Sequence, residues 1–303
     1  MRNKPFMLAL LGCTLWGFTP IFWKALTGVG AMYTLSTRML FSLVISAIFF
    51  TVTRRWGEIG ATMRNKKKFW LTALAGYLVC INWGMFILAT QIGRITEASI
   101  GGYLVPILMM LSGRVFFKEK LNALEYIAGA FAFAGVLYMI ISIGQIPYIA
   151  LTMAVSFVGY GSIKKLTQLE SNVSMAIESI AAAPATLGFV IWAELTGNGA
   201  VGVLTGWQWL LLPGAGVVTF VPLYMFGVGV TRLRYAVVGM LQYLCPTIQL
   251  LLGIFAYGEA FTAMHLVTFI FIWLAVMCFI AGQQVKHHKE KTKALAESHS
   301  MAA

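Results

Sequence analysis

The stretch NWGMFILATQIGRITEASIGGYLVPILMMLSGRVFFKE, residues 82–119, lines up without a gap on PLYMFGVGVTRLRYAVVGMLQYLCPTIQLLLGIFAYGE, residues 222–259, 140 positions later. The offset carries Met85-Phe86 onto Met225-Phe226, Arg94 onto Arg234, Tyr103-Leu104 onto Tyr243-Leu244, Pro106 onto Pro246, Gly113 onto Gly253 and Glu119 onto Glu259. The register holds from residue 82 to residue 140, which marks a duplicated half.

Outward from this repeat the chain is apolar almost throughout. Of its 303 residues 59% are hydrophobic and 11% charged, and the mean hydropathy is +0.82. That is more apolar surface than a soluble core buries, so the composition implies an all-α integral membrane protein. A spanning helix needs about 20 mostly apolar residues. Ten segments meet this: 5–27, 32–53, 69–90, 96–117, 123–142, 147–165, 173–195, 207–230, 235–257 and 262–284. The first is read as a span and not a cleaved leader. It is too long for a signal peptide's apolar region, and Trp16, Phe22, Trp23 and Lys24 stand where small residues would be wanted.

The net charge of +12 rests on 22 Lys and Arg against ten Glu, with no Asp. A nucleic-acid partner would require a solvated basic face, whereas these cations sit in short clusters between apolar runs. With the N-terminus in the cytoplasm, 19 of the 22 fall on the inner side, leaving Lys24, Arg38 and Arg94 outside. The cations therefore predict that both termini are cytoplasmic. The polar end, 285–303, is expected to be a disordered tail.

Five spans in each half is an odd number, so the second half must enter the membrane upside down. The expectation is ten transmembrane helices arranged as two inverted five-helix repeats, 1–142 and 147–284. Inverted repeats commonly flank a substrate site near the midplane and support alternating access; retention of the duplication for packing alone is the plainer reading.

Polar and helix-bending residues gather in four of these spans: Asn82, Trp83 and Phe86; Tyr103 and Pro106; Thr219, Pro222 and Phe226; Gln242, Tyr243, Pro246 and Gln249. Each proline removes an amide donor and frees a carbonyl within the bilayer. Freed carbonyls, amides and phenols make a cavity that hydrogen-bonds without fixed charge, while the aromatic rings supply its walls. Taken singly, the prolines only bend helices and the amides only join them.

Charged residues within spans are retained mainly where they pair or face water. Arg38 and Glu178 correspond across the repeat, but inversion places their backbones about 14 Å apart along the normal at 1.5 Å per residue. The better partners are Glu97 for Arg38, and Lys164 or Lys165 for Glu178. Such pairs act either as gates or proton relays, or as static locks. Lys24 and Lys164, which also correspond, sit near span ends and can snorkel.

Other chemistry has little basis in the sequence. Cys13, Cys80, Cys245 and Cys278 are isolated, which indicates neither a disulfide framework nor a metal site. No nucleophile stands beside a base and no phosphate-cradling loop follows a strand, so neither an enzyme nor a cofactor is expected. Energy would come from an ion or substrate gradient, with protons and a small-molecule substrate as partners beside the lipid bilayer and a homodimer left open. A multispan enzyme or lipid-handling protein using the same cavity is the alternative.

Several runs together resemble the RarD family, a branch of the EamA-type permeases in the drug/metabolite transporter superfamily. They are Asn82-Trp83 through Phe86, Glu97-Ala98-Ser99-Ile100-Gly101, Thr231-Arg232-Leu233-Arg234, Gln242-Tyr243-Leu244-Cys245-Pro246-Thr247 and Tyr257-Gly258-Glu259. The resemblance covers the chain from Trp16-Gly17 to Trp273. It implies a ten-helix inverted-repeat exporter or exchanger of small metabolites, amino acids or amphipathic drugs among them, with its cavity between spans three, four, eight and nine. One run departs: where the branch usually shows Gly-Tyr-Phe-Ile-Asn-Pro, this chain has Gly101-Gly102-Tyr103-Leu104-Val105-Pro106. A cavity-facing Tyr and Asn are thus missing, and the substrate preference is not carried over.

Overall fold

A computed structural model describes the backbone of residues 4–26, 28–91, 95–144, 147–257 and 262–302. Arg94, Glu259, and the side chains of Lys24 and Glu97 lie outside the described residues. The described residues form twelve α-helices: α1 (Lys4–Lys24), α2 (Ala31–Thr53), α3 (Trp56–Arg64), α4 (Lys66–Gln91), α5 (Ile95–Val115), α6 (Ala123–Ile143), α7 (Tyr148–Thr167), α8 (Ser171–Leu195), α9 (Leu211–Arg232), α10 (Tyr235–Gln242), α11 (Leu244–Tyr257) and α12 (Ala263–Ala302). A 3₁₀ turn, Gly206–Leu210, leads into α9. Local chemistry sets several ends. Asn122 and Glu125 form a reciprocal capping box at the start of α6, satisfying two amides the helix itself cannot.

Among the described residues, eight helical stretches are long and apolar enough to cross a membrane, against the ten expected. The described apolar part of α5 is the shorter stretch Ile100–Val115. The other expected span absent from the eight is α7, whose last turn carries Lys164 and Lys165 and lowers its mean hydropathy. Large apolar side chains cover the outside, Leu195 and Phe255 each being 82% exposed, as lipid-facing surface requires.

Three segments differ from expectation. The span 235–257 is interrupted at Tyr243, where one helix ends and the next begins. Pro246 has no amide to return to the Gln242 carbonyl, and its ring crowds that carbonyl; the Tyr243 amide tightens instead onto Met240 O at 3.2 Å. The segment 285–303, expected to be disordered, continues α12 as helix to Ala302. Its Lys, Glu and Ala residues are strong helix formers. The basic connection between spans two and three holds the additional short helix α3.

The helix contacts follow the 140-residue offset. α4 packs on α7 as α9 packs on α1; α5 packs on α7 as α11 packs on α1; α4 packs on α8 as α9 packs on α2. Three further pairs join counterparts directly: α2 with α8, α5 with α10, and α6 with α12. All three run antiparallel. Tyr33 near the start of α2 bonds Glu194 near the end of α8, while Arg55 past the end of α2 reaches Glu170 at the start of α8. Gly239 on α10 faces Pro106 and Met109 on α5, and the residues before it, Tyr235 and Ala236, meet the far end of α5 at Gly113 and Glu119. Asn122 beside α6 donates to Gly282 O on α12 at 2.7 Å, while Gly135 faces Phe271.

Candidate functional site

Aromatic rings from α1, α7 and α9 pack into one buried wall in the core. Trp16 on α1 packs against Phe226 on α9 and Phe157 on α7, with centroids 5.4 and 5.9 Å away. Tyr160 stacks on Phe226 at 6.3 Å. Seven residues along the same face of α1, Trp23 continues the wall to Arg38, whose guanidinium lies 5.4 Å from the Trp23 ring centroid and 3.5 Å from that of Trp83. Neither Trp16, Trp23 nor Tyr160 was among the expected site residues. The seven-residue spacing of Trp16 and Trp23 was the available signal.

Arg38 is 9% exposed, and its Nε has no hydrogen-bond partner. The pairing with Glu97 lies outside the described residues. Thr219 Oγ1, Gln242 Nε2 and Tyr243 Oη are also buried and unpartnered. Of the six buried side-chain polar atoms without partners among the described residues, four belong to expected site residues.

Glu178 meets Lys164, with Nζ and Oε1 2.6 Å apart and both residues 2% exposed. Ser174 Oγ donates to the same carboxylate at 2.6 Å, and Tyr160 Oη donates at 3.3 Å. Tyr160 and Lys164 share a face of α7, as Ser174 and Glu178 share a face of α8, because residues four apart lie on one side of a helix. Lys165 points elsewhere, to Glu119 at 3.1 Å and Leu233 O at 2.7 Å. Gly76 makes room for the pair: a Cβ there would stand 3.0 Å from Glu178 Cα.

The remaining expected residues divide. Tyr103 and Tyr243, counterparts across the repeat, approach with centroids 6.5 Å apart. Gln249 Nε2 donates to Trp16 O and Cys245 Sγ, both at 3.4 Å. Asn82 is committed to Met153 O at 2.7 Å, joining α4 to α7. Phe86 is 43% exposed. Pro106 and Pro222 present their carbonyls where glycines let helices cross: a Cβ on Gly239 would stand 3.1 Å from Pro106 O, and one on Gly12 would stand 3.0 Å from Pro222 O. Pro246 faces the departure at Gly102, where an added Cβ would meet its Cβ at 3.8 Å. Val105, the second departure, is buried in the apolar cluster.

An open groove of about 650 Å³ lies elsewhere, between α2, α4 and α8, with Leu35, Cys80, Ile81 and Phe189 on its walls. None of the expected cavity residues lines it.

A polar latch ties the halves together at one end of the bundle. Glu119 accepts from the amides of Tyr235 and Ala236 at 2.5 and 3.1 Å, so its carboxylate caps α10 where the helix dipole favours negative charge. Gly113 leaves the space, since a Cβ there would lie 2.8 Å from Glu119 Oε2. Beside it Arg234 pairs with Glu125 at 2.7 Å and donates to Lys120 O at 2.6 Å. At the end of α2, Arg55 bridges Glu58 and Glu170 and holds the Glu58 carboxyl below the usual carboxylate range through its hydrogen bonds.

Residues 3–141 match the model of the EamA-like transporter family. An uncharacterized transporter of Vibrio cholerae is 35% identical over 293 residues, 96% of this chain and 97% of that protein. Protein RarD of Escherichia coli (strain K12) is 31% identical over 274 residues, covering 90% of this chain and 93% of its own. Protein RarD of Streptomyces exfoliatus is 33% identical over 263 residues, covering 87% and 84%. A protein of known crystal structure, 15% identical, superposes with a TM-score of 0.71 over 92% of this chain and 98% of its own, a likeness of fold alone. With relatives this similar along nearly its full length, the chain belongs to the RarD branch of the EamA-like transporter family.

Proposed function

We infer that this protein is a secondary transporter that exports or exchanges small metabolites, amino acids or related amphipathic compounds, by alternating access. In this reading ten spans form two inverted repeats, 1–142 and 147–284, in the inner membrane, with both termini on the cytoplasmic side that holds 19 of the 22 cations.

The observation that carries it is the exchange of helix contacts under the 140-residue offset. A two-fold axis in the membrane plane reverses helix direction, so counterparts that meet across it run antiparallel, as α2 with α8, α5 with α10 and α6 with α12 do. The contact of Tyr103 with Tyr243 marks a point close to that axis. Substrates are commonly held at such a repeat interface, and the unpartnered atoms of Thr219, Gln242 and Tyr243 supply the polar contacts there. Asn82, Trp83, Phe86, Pro106, Pro222, Phe226, Pro246 and Gln249 complete the cavity set, with Arg38 at one side of it and Glu178 with Lys164 as a charged gate at the other. Glu178 also serves as the coupling group, a proton taken up by its carboxylate releasing Lys164.

The test is a solute screen in proteoliposomes, run with and without a pH gradient. At least one metabolite class should cross faster than in protein-free vesicles, with a rate that responds to the gradient and loses that response in Glu178→Gln. No flux for any solute, together with accelerated transbilayer movement of labelled phospholipid, would replace the transporter with the lipid-handling alternative.

A further inference from the structure

Arg38 is the group the fold leaves most conspicuously unanswered. A guanidinium offers five donors in one plane, and stacking on an aromatic ring covers its face but satisfies none of its edges. Trp83 at 3.5 Å and Trp23 at 5.4 Å supply the faces. Its Nε has no acceptor, and among the described residues no carboxylate comes within ion-pair distance of it. Its counterpart in the other half, Glu178, is fully engaged by Lys164, Ser174 and Tyr160. Charge inside a membrane is costly unless paired, and an arginine plane with covered faces and open edges fits a planar anion bound through both oxygens.

We propose that Arg38 is the recognition group for the carboxylate of the transported solute, with the indoles of Trp23 and Trp83 packing against its apolar body. No described carboxylate near Arg38 is left to hold an ammonium group. The substrate class is therefore small organic acids with an apolar or aromatic body, selected without need of an amine. This deepens the transporter reading and rests on it.

Three probes share one body and differ in charge: phenylacetate, phenylalanine and phenethylamine. Titrated against the full chain in detergent, phenylacetate should change tryptophan fluorescence and raise the melting temperature. Phenethylamine should do neither, and phenylalanine should bind no more tightly than phenylacetate. Arg38→Gln should weaken phenylacetate binding at least tenfold, and Arg38→Lys, which keeps the charge and loses the planar fork, should fall between the two. Far-UV circular dichroism and size-exclusion elution check that each variant is folded; if Arg38→Gln does not fold, Arg38→Lys alone decides. Equal binding of phenethylamine, or phenylacetate affinity unchanged by whichever folded variant is decisive, overturns the proposal. So does an equal loss in Glu97→Gln, which would make Arg38 half of an internal ion pair. Proteoliposome flux separates the two readings. Phenylacetate binding without flux of any solute leaves the site and removes the transporter, whereas flux indifferent to Arg38 does the reverse.

Discussion

Replacing Lys164 by Met should be among the most damaging single changes in this protein, and replacing Glu178 as well should largely repair it. The pair is 2% exposed on both sides and 2.6 Å apart. Removing one partner of a buried ion pair typically costs about 3–5 kcal/mol, because the other charge stays buried and uncompensated. Here Ser174 and Tyr160 still donate to the carboxylate, which puts the expected loss near the lower end, about 3 kcal/mol. In Lys164→Met/Glu178→Gln the remaining group is a neutral amide of nearly the same volume, as the backbone of Gly76 pressed against position 178 requires; its oxygen keeps the Ser174 donor, and its NH2, in place of Oε2, donates to the Tyr160 hydroxyl instead of accepting from it. The double variant should lie within about 1 kcal/mol of the parent, so the coupling is at least about 2 kcal/mol and larger by whatever Glu178→Gln alone costs in stranding Lys164. The assay is reversible unfolding in mixed micelles for the parent, both single variants and the double variant. A loss under about 1 kcal/mol for Lys164→Met, or a double variant as unstable as the two losses summed, would refute the reasoning.

Three further outcomes follow from other contacts. Gly216→Ala places a Cβ 2.6 Å from Phe41 Cβ and 2.9 Å from its backbone carbon, so α9 must move off α2 at a cost of about 1–3 kcal/mol in the same unfolding assay. Glu119→Gln removes the charge that caps α10 and pairs with Lys165; amide exchange at Tyr235 and Ala236 should accelerate, with a stability loss of about 1–2 kcal/mol. Arg55→Gln should raise the titration midpoint of Glu58, read by carbon-13 NMR of labelled glutamate, since Arg55 now depresses it. The sign is that of a lowered carboxylate: the contribution of Glu58 is present above its unfolded pKa and is lost as pH falls through the folded value.

Much of the architecture was readable because hydropathy and period are local properties of the chain. The apolar runs, the break-prone Pro246 and the correspondence of Tyr103 with Tyr243 all stand in the sequence, and the helices fall close to the expected spans. Helix α12 runs on through the polar end to Ala302, where Ala, Lys and Glu favour helix. At the site, the sequence could place Glu178 opposite two adjacent lysines but not choose between them. Neighbours on a helix point about 100° apart at 3.6 residues per turn, so only Lys164 faces Glu178 while Lys165 faces Glu119.

By itself, then, the sequence determined the solvent, the helical class and the kinds of group available inside. Tertiary structure decided which of them meet. Arg38 lies against Trp23 and Trp83, Asn82 joins α4 to α7, and the open groove sits between α2, α4 and α8. These outcomes depend on the depth and crossing angle of helices far apart in the chain, which glycines such as Gly76 and Gly216 permit but no periodicity encodes.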